Sequence, residues 1–275
     1  MIEPPSFAIA AKHPQWVAAM DSEFNSLQQQ KTWSLVPRPA NKNIVTCKWV
    51  YKLKRNSDGS IARYKPRLVA RGYLQQFGLD YEETFSPVVK PTTVRLLLAL
   101  AVNQNWELRQ LDVSNAFLHG FLKEEVYMAQ PQGYVDSKFP KHVCLFHKAL
   151  YGLKQAPRAW FERFTSQLFH IGFFASGADG SLFIYKHGCH LVFLLLYVDD
   201  IILTGNDSSF TASLIHQLGF EFDLKDLGPL HYFLGLQIDY TSNGLFVHQK
   251  KYDSDLLAKF AMTDCKPCKT PCSPN

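Results

Sequence analysis

The stretch FLLLYVDDIILTG, from Phe193 to Gly205, places two adjacent aspartates inside a run of large apolar residues. Nine of its thirteen residues are aliphatic or aromatic, so the segment is predicted to be buried. Burying an unpaired carboxylate is costly, and a like charge beside it raises that cost. The pattern predicts a hairpin in which strands flank Asp199 and Asp200 and the turn holds both carboxylates at one end of a buried sheet.

A third aspartate, Asp112, also ends an apolar strand, in the segment WELRQLDVSNAF. Three carboxylates that meet at a sheet edge repel one another unless cations lie between them. Two Mg²⁺ ions about 3.5–4 Å apart would neutralise such a cluster and could hold the attacking and leaving oxygens of a phosphoryl transfer. The alternative is an ordinary solvated turn, where aspartate is a favoured residue, and it requires Asp112 to lie far from the pair.

Length and composition describe an ordinary globular protein. The chain has 275 residues, 47% hydrophobic and 19% charged, which excludes a disordered or fibrous protein. No apolar run reaches the roughly 18–20 residues that a membrane helix needs, and the N-terminus lacks the features of a secretory signal. We therefore expect an intracellular protein. The terminal CKPCKTPC lacks a fourth ligand for zinc, so free thiols are expected there.

The positive charge is concentrated in one segment. Between Lys48 and Gly72 there are eight lysines and arginines and one acidic residue, whereas the rest of the chain has 21 basic and 23 acidic residues. Two strand-like runs around a polar turn predict a hairpin here. Alternate positions of its second strand carry Arg63, Lys65, Arg67 and Arg71. Pro66 indicates an edge strand, so the hairpin suits contact with phosphates; a solvated charged hairpin is the alternative.

Helical segments with one apolar face are interspersed irregularly among the strands. One helix is predicted to begin at a capping Thr92 or Thr93, another to stop at Gly219, and APRAWFERFTSQLFHIGF gives a strongly amphipathic one. Because regular βα alternation is absent, the predicted fold class is α+β, with an antiparallel sheet packed on helices. The sequence contains no phosphate-binding P-loop, HExxH or GxSxG motif.

Several blocks resemble those of one polymerase family. YVDD (Tyr197–Asp200) resembles the tyrosine-x-Asp-Asp signature of reverse transcriptases, and LDVSNAFLHG (Leu111–Gly120) resembles their first catalytic motif. The blocks that resemble copia-type LTR retrotransposon polyproteins are RYKPRLVARGY (Arg63–Tyr73), ETFSPVVKPTTVR (Glu83–Arg95), LYGLKQAPRAW (Leu150–Trp160), YVDDIILTG (Tyr197–Gly205) and DLGPLHYFLGLQI (Asp226–Ile238). Their order and spacing fit that family from about residue 16 to residue 271.

The resemblance implies a right-hand polymerase, with fingers, a palm whose antiparallel sheet packs on helices, and a partial thumb, over residues 14–275. Residues 14–110 would be mostly fingers, and 111–240 mostly palm with a helical insert. Residues 241–275 would begin a truncated thumb, and 1–13 would be an N-terminal tail.

The same resemblance implies the catalytic residues. Asp112, Asp199 and Asp200 would be the palm carboxylates that bind two Mg²⁺ ions, with Mn²⁺ as an alternative. The backbone carbonyl of Val113 would complete the coordination shell of one ion. Phe117 would exclude a 2′-hydroxyl and so select deoxynucleotides, although a plain core phenylalanine is the alternative.

Further positions would contact the nucleotide, the primer and the template. Lys54 and Arg67 would meet the β- and γ-phosphates, with Lys65 as a competing candidate, and Lys225 would donate a proton to pyrophosphate. Other nucleotide contacts would come from Asn115, Ala116, Tyr151, Gly152 and Gln155. The primer and template would contact Tyr197, Tyr232, Phe233, Leu234 and Gly235. A Pro-containing turn into a helix would explain Gly152 and Pro157 without any ligand, and an ordinary hydrophobic hairpin would explain Tyr232–Gly235.

The implied function is that of an RNA-directed DNA polymerase, a nucleotidyltransferase that joins dNTPs to a primer 3′-hydroxyl by two-metal catalysis. Its partners would be a template–primer of RNA or DNA and dNTPs, with RNase H and integrase segments in the same polyprotein and no membrane. An active element would place it in a cytoplasmic retrotransposon particle. The alternative is a catalytically inactive, truncated remnant that at most binds nucleic acid.

Overall fold

The computed structural model describes residues 3–56, 58–242 and 244–267. The helices of this part are α1 Phe7–Ala10, α2 Pro14–Gln29, α3 Pro91–Gln104, α4 Ala156–Ile171, α5 Ser208–Glu221 and α6 Lys250–Lys259. The strands are β1 Trp33–Val36, β2 Ile44–Val45, β3 Cys47–Arg55, β4 Ile61–Ala70, β5 Leu108–Val113, β6 Tyr127–Ala129, β7 Val143–Phe146, β8 Phe174–Ala175, β9 Leu182–His187, β10 His190–Tyr197, β11 Asp200–Gly205, β12 Leu224–Pro229, β13 Tyr232–Phe233, β14 Leu236–Thr241 and β15 Gly244–His248. The predicted α+β class is confirmed.

A six-stranded sheet carries the aspartates, with its strands in the order β12-β5-β11-β10-β9-β8. Every neighbouring pair in this sheet is antiparallel. Ile201 and Leu203 of β11 pack with α4 and α5 on one face, whereas Ile202 packs with α3 on the other. Because helices cover both faces, β10 and β11 are apolar at nearly every position, which accounts for the long hydrophobic run around the aspartates.

The basic segment forms the predicted hairpin of β3 and β4, a two-stranded sheet in which both strands are edges. Trp49, Tyr51 and Leu68 lie on one face, in a core that includes α2, and the lysines and arginines occupy the other face. Pro66 pairs with Tyr51 on an edge strand, as its missing N–H requires. A four-stranded sheet of order β1-β7-β6-β2 shares this core, and its β2–β6 pair is parallel.

Two predicted helix ends are corrected. Helix α3 begins at Pro91, and its N-cap residue Lys90 makes no side-chain cap. The carboxylate of Asp179 takes over this task, because it accepts the Lys90 N–H at 3.0 Å and the Thr93 hydroxyl at 2.6 Å. Helix α5 continues through Gly219 to its end two residues later, since a glycine in an exposed last turn weakens a helix without stopping it.

The described part of residues 1–13, predicted as an N-terminal tail, packs against the rest of the chain. Helix α1 lies in this segment, and its Ala10 is fully buried. Glu3 forms an ion pair with Lys52 at 3.0 Å and accepts the backbone N–H of Leu53 at 3.0 Å. The segment therefore covers the outer edge of β3, which would otherwise present unpaired backbone groups.

The predicted boundaries at residues 110 and 240 do not coincide with the packing of the sheets. Strands β6 and β7, within 111–240, pair with β1 and β2 from the N-terminal part. Helix α3, within 14–110, packs on the six-stranded sheet. The chain thus crosses between the two packing units more than once, and the division into fingers, palm and thumb stays a prediction.

Within the described ranges, no helix is long and apolar enough to span a membrane. Among the described residues the free cysteines are Cys47, Cys144, Cys189 and Cys265, of which Cys265 belongs to the terminal cluster. Four residues named by sequence predictions lie outside the described residues: Ser57 and Asn243 of the two turns, and Cys268 and Cys272 of the terminal cluster.

Candidate active site

The YVDD segment forms the turn between β10 and β11. Tyr197 pairs with Asp200, which leaves Val198 and Asp199 as the two turn residues. Val198 has φ +54°, a conformation that β-branched residues avoid and that costs about 1–3 kcal/mol. The buried indole of Trp160 donates its Nε1–H to the Val198 carbonyl at 2.7 Å, and the Val113 N–H donates to the Asp199 carbonyl at 2.9 Å. Two hydrogen bonds from different elements therefore hold a strained turn.

The register of the six-stranded sheet brings the predicted carboxylates together. Asp112 of β5 lies directly opposite Asp200 of β11 and, on its other side, directly opposite Lys225 of β12. Directly opposed residues of an antiparallel pair point to the same face, with Cβ atoms about 4.5–5.5 Å apart. Lys225, Asp112 and Asp200 therefore form a row across three strands, and the turn places Asp199 at its end. The alternative of an isolated, solvated Asp-Asp turn is excluded.

The carboxylates destabilise one another's charged forms. Burial, and next the neighbouring Asp199, raise the pKa of Asp112, while Lys225 and Lys65 partly offset this effect. Burial, followed by Asp199 and Asp112, raises the pKa of Asp200 to about 6. The negative charge of this cluster exceeds the positive charge around it. A bound cation would therefore be favoured, because it would supply the missing positive charge.

The donor set fits a hard divalent cation only in part. In the chain as far as the structure describes it, no three His, Cys, Asp or Glu side chains are arranged to hold a metal ion. Asp112 and Asp199 do line one cleft together with Val113. Two carboxylates and a backbone carbonyl are oxygen ligands of the kind that Mg²⁺ takes when waters and substrate phosphates complete its shell. The residues present therefore fit an ion shared with a substrate.

This cleft has a volume of about 400 Å³ and walls of opposite charge. Its acidic wall comes from the six-stranded sheet and the segment before β12, and its basic wall comes from β4. The charged residues that line it are Glu23, Arg63, Lys65, Arg67, Asp112, Asp199, Asp223 and Lys225. Burial, and next Arg67, lower the pKa of Lys65. The basic wall is thus short of negative charge, as the acidic wall is short of positive charge.

Aromatic side chains support the inner end of the basic wall. The guanidinium of Arg67 lies 5.2 Å from the centre of the Tyr151 ring, and its buried Nε has no hydrogen-bond partner. Tyr151 contacts the half-buried Phe117 edge to face, with ring centres 5.2 Å apart. Burial raises the pKa of Tyr151 to about 12, so its hydroxyl stays neutral. Arg67 is therefore held over a neutral ring at the inner end of the basic wall.

Of the other predicted nucleotide contacts, the structure places some in the lining of the cleft and others outside it. Asn115, in the left-handed conformation with φ +53°, lines the cleft, and Ala116 is buried behind it. Lys54 is exposed opposite Arg63 on the same face of the hairpin, but outside the lining of the cleft. Phe117 reaches the cleft only through Tyr151 and lines a separate small cavity beside Trp160.

Gln155 lies in the protein interior, whereas Gly152 is exposed but packs closely against the end of β4. A Cβ on Gly152, which has φ +88°, would lie 2.1 Å from the Ala70 carbonyl oxygen. The fully buried Gln155 accepts a hydrogen bond from Gln75 and donates one to the Asp80 carbonyl, each at 2.9 Å. Gly152 thus fixes the loop before α4 against the end of β4, and Gln155 ties the same loop to residues 75–80. Contact with a nucleotide or template stays a prediction for both residues, and the burial of Gln155 does not favour it there.

The predicted primer hairpin lies beside the acidic row. The Gln110 side chain, two residues before Asp112, donates to the Tyr232 carbonyl at 2.9 Å. The rings of Tyr197 and Phe233 meet edge to face at 6.5 Å. Leu234 and Gly235 turn between β13 and β14 with φ +50° and +83°, a two-residue turn with both residues at positive φ. This tip is exposed at Leu234 and is anchored next to the carboxylates.

Three residues of the site were missed by sequence reasoning. Asp223, two residues before Lys225, could have been found from the segment EFDLKDLG, which places another carboxylate close to the predicted lysine. Glu23 reaches the cleft from α2, about forty residues away from the basic strand in the chain, and no local pattern indicates it. Trp160 is one of several aromatic residues on the apolar face of α4, so its hydrogen bond to the turn is visible only in three dimensions.

Comparison with known proteins places the chain in a family. The family described as "Reverse transcriptase (RNA-dependent DNA polymerase)" matches residues 30–274. The chain is 48% identical over 274 residues to the "Retrovirus-related Pol polyprotein from transposon RE1" of Arabidopsis thaliana, covering 99% of this chain and 19% of that protein. It is 42% identical over 275 residues to the corresponding polyprotein from transposon TNT 1-94 of Nicotiana tabacum, covering 98% of this chain and 21% of that protein.

The chain therefore belongs to the reverse transcriptase family, in its copia-type Pol polyprotein branch. It spans about a fifth of the length of these curated relatives. The resemblance found in the sequence blocks is confirmed.

Proposed function

We propose that this member of the reverse transcriptase family is an RNA-directed DNA polymerase that adds dNTPs to a primer 3′-hydroxyl in the cleft between β4 and the six-stranded sheet. The observation that supports the proposal most strongly is the pairing of opposite charges across one cleft. Asp112 and Asp199 form its acidic wall, and Lys65 and Arg67 form its basic wall. A dNTP with divalent ions carries both signs of charge and would satisfy both walls at once.

The acidic wall would act on the reacting phosphate. Asp112 and Asp199, with the Val113 carbonyl, would hold the divalent ions, and Asp200 would support them from beside Asp112. Bound Mg²⁺, or Mn²⁺ as an alternative, would activate the primer hydroxyl and neutralise charge on the transferred phosphate and the pyrophosphate, as in two-metal catalysis. Lys225, directly opposite Asp112, would donate a proton to the leaving pyrophosphate.

The basic wall would bind the triphosphate. Arg67 and Lys65 would hold the β- and γ-phosphates, in preference to Lys54, because the first two line the cleft. Asn115, in its left-handed turn, and Ala116 after it would present their backbone N–H groups to the same oxygens. Phe117, braced edge to face by Tyr151, would exclude a 2′-hydroxyl from the sugar position. Residues fixed in this way would speed the reaction by holding the reacting groups close together and correctly oriented.

The proposed right-hand organisation follows from these assignments. The β3–β4 hairpin and the four-stranded sheet would be fingers, the six-stranded sheet with α3, α4 and α5 the palm, and β13–β15 with α6 the primer grip and the start of a thumb. The nucleic acid would be held mainly through its backbone, so binding would weaken as salt increases. RNase H and integrase segments of the same polyprotein, and a cytoplasmic retrotransposon particle, belong to this proposal.

Primer extension tests the proposal. Oligo(dT) annealed to poly(rA) or poly(dA) should be extended in Mg²⁺ or Mn²⁺, with poly(rA) preferred as template. Asp199→Asn should abolish extension while leaving template–primer binding unchanged, because it removes a cation ligand and no basic residue. Asp264→Asn, at an exposed aspartate outside the cleft, is the matched control and should extend normally.

The same assay separates the second candidate, an inactive remnant. If the parental chain binds the duplex but does not extend it under any of these conditions, the remnant is favoured. Extension by Asp199→Asn at near the parental rate would overturn the assignment of the acidic wall.

A further inference from the structure

Glu23 is an acidic residue on the basic side of the cleft. It lies on α2, the helix that packs against β4, and lines the cleft beside Arg63, Lys65 and Arg67. The proposed chemistry gives it no task, since the cation-binding carboxylates lie on the six-stranded sheet. A negative charge among residues that are meant to bind phosphate should oppose that binding.

The surroundings of Glu23 hold it in this position. The backbone N–H of Leu68 on β4, the strand against which α2 packs, stabilises the negative charge of its carboxylate. Arg67, Lys65 and Arg63 stabilise its negative charge, in that order of strength, yet burial outweighs them and leaves the pKa of Glu23 raised. Its carboxylate is thus poorly compensated, and the buried Nε of Arg67, next to Leu68 on β4, also lacks a hydrogen-bond partner.

We propose that Glu23 is the resident counter-ion of the triphosphate end of the cleft, and that its charge limits how tightly Arg67 and Lys65 hold a polyphosphate. When the cleft is empty, Glu23 balances part of the positive charge of β4. When a triphosphate enters, Glu23 faces the same cations as a competing anion and weakens their hold. The inference rests on the proposed function, because it takes these two cations as the phosphate-binding groups.

A purely structural role for Glu23 is the competing explanation. In that case the residue matters only because it accepts the Leu68 N–H and covers the edge of β4. Glu23→Gln separates the two roles, since the amide oxygen still accepts a hydrogen bond while the charge is removed. Glu23→Ala removes both the charge and the hydrogen bond.

The test measures binding of inorganic tripolyphosphate by isothermal titration calorimetry, in buffer that contains a chelator and no divalent ions. Glu23→Gln should bind it about threefold to tenfold more tightly than the parental chain, the range for removing one nearby negative charge that salt partly screens. The gain should shrink at high salt. Glu3→Gln is the matched control, because Glu3 also accepts a backbone N–H of the hairpin and pairs with Lys52, but lies outside the cleft. It should leave binding close to parental.

Arg67→Gln shows which assignment fails if the result is negative. If Arg67→Gln weakens tripolyphosphate binding and Glu23→Gln leaves it unchanged, the counter-ion role is overturned and the phosphate assignment stands. If neither variant changes binding, the phosphate assignment fails as well. A parental chain without measurable affinity supports the inference when Glu23→Gln gains affinity, and overturns it otherwise.

Discussion

Replacing Trp160 by phenylalanine should loosen the turn that carries Asp199. Trp160 is 1% exposed and donates its indole N–H to the Val198 carbonyl at 2.7 Å. Phenylalanine keeps most of the ring and removes the donor. Because Val198 is exposed, losing this hydrogen bond costs about 0.5–1.5 kcal/mol, and the smaller ring leaves a cavity that adds about 1 kcal/mol. The lost support is similar to the 1–3 kcal/mol or so of strain at Val198, so the turn should leave its present conformation part of the time.

Trp49→Phe provides a matched control for this prediction. Trp49 is 7% exposed and donates its indole N–H to the Gln132 carbonyl at 3.2 Å, in the core that contains α2. The two variants should lose similar stability in urea unfolding. Only Trp160→Phe should speed amide hydrogen exchange around Asp199 and lower the maximal rate of primer extension, with little change in KM for dNTP.

The result that would refute this reasoning is specific. If Trp160→Phe loses stability as Trp49→Phe does, but keeps the parental exchange rates at the turn and the parental extension rate, the hydrogen bond does not position Asp199. An equal loss of extension in both variants would also refute it, because the effect would then reflect stability alone.

Three further predictions concern charge and close packing. Asp200→Asn should raise the free energy of unfolding by about 1–2 kcal/mol near pH 7.5 in metal-free buffer, since burial and neighbouring carboxylates raise the pKa of Asp200 to about 6. Urea titrations should show this gain shrinking as the pH falls from about 6 to about 4, where the parental carboxyl is protonated; a gain independent of pH would contradict the cause. Gly152→Ala should lower the midpoint of thermal unfolding by more than about 5 °C, because its Cβ would lie 2.1 Å from the Ala70 carbonyl oxygen, and an unchanged melting curve would contradict that contact. Arg63→Gln should reduce the slope of log affinity for a poly(rA)–oligo(dT) duplex against log salt by about one, measured by fluorescence anisotropy, and an unchanged slope would mean that Arg63 does not contact the nucleic-acid backbone.

The elements that sequence predicted well are those whose signal is local. The hairpin around Asp199 follows from two apolar runs, and the basic hairpin follows from alternating charges and Pro66. Alternation places side chains on faces without knowledge of the rest of the chain. The start of α3 was misplaced because its N-terminus is capped by Asp179, a residue distant in sequence. A residue that is distant in sequence gives no signal in the local sequence around the start of the helix.

The candidate site shows the same division between local and distant signals. Asp112 could be predicted to lie with the YVDD pair because both are at the ends of apolar strands, and because clustered carboxylates repel one another unless they bind cations. Glu23 could not, because only the packing of α2 on β4 carries it to the cleft. Gln155 was assigned to a ligand from its block, whereas burial and two internal hydrogen bonds give it a structural task. A block resemblance indicates which residues matter and does not distinguish contact from support.

Each wall of the cleft carries like charges that the protein itself does not fully compensate. Burial and Asp199 raise the pKa of Asp112, and burial and Arg67 lower the pKa of Lys65, so each wall disfavours its own charged state. The walls neutralise each other only in part, because open space of about 400 Å³ separates them. A ligand that brings cations to one wall and phosphates to the other would relieve both costs in one binding event. Lone cations or lone anions would relieve one only, so under the proposed function we expect the two walls together to favour a metal–triphosphate. A solvated Asp-Asp turn and a solvated basic hairpin would each leave such an arrangement unexplained.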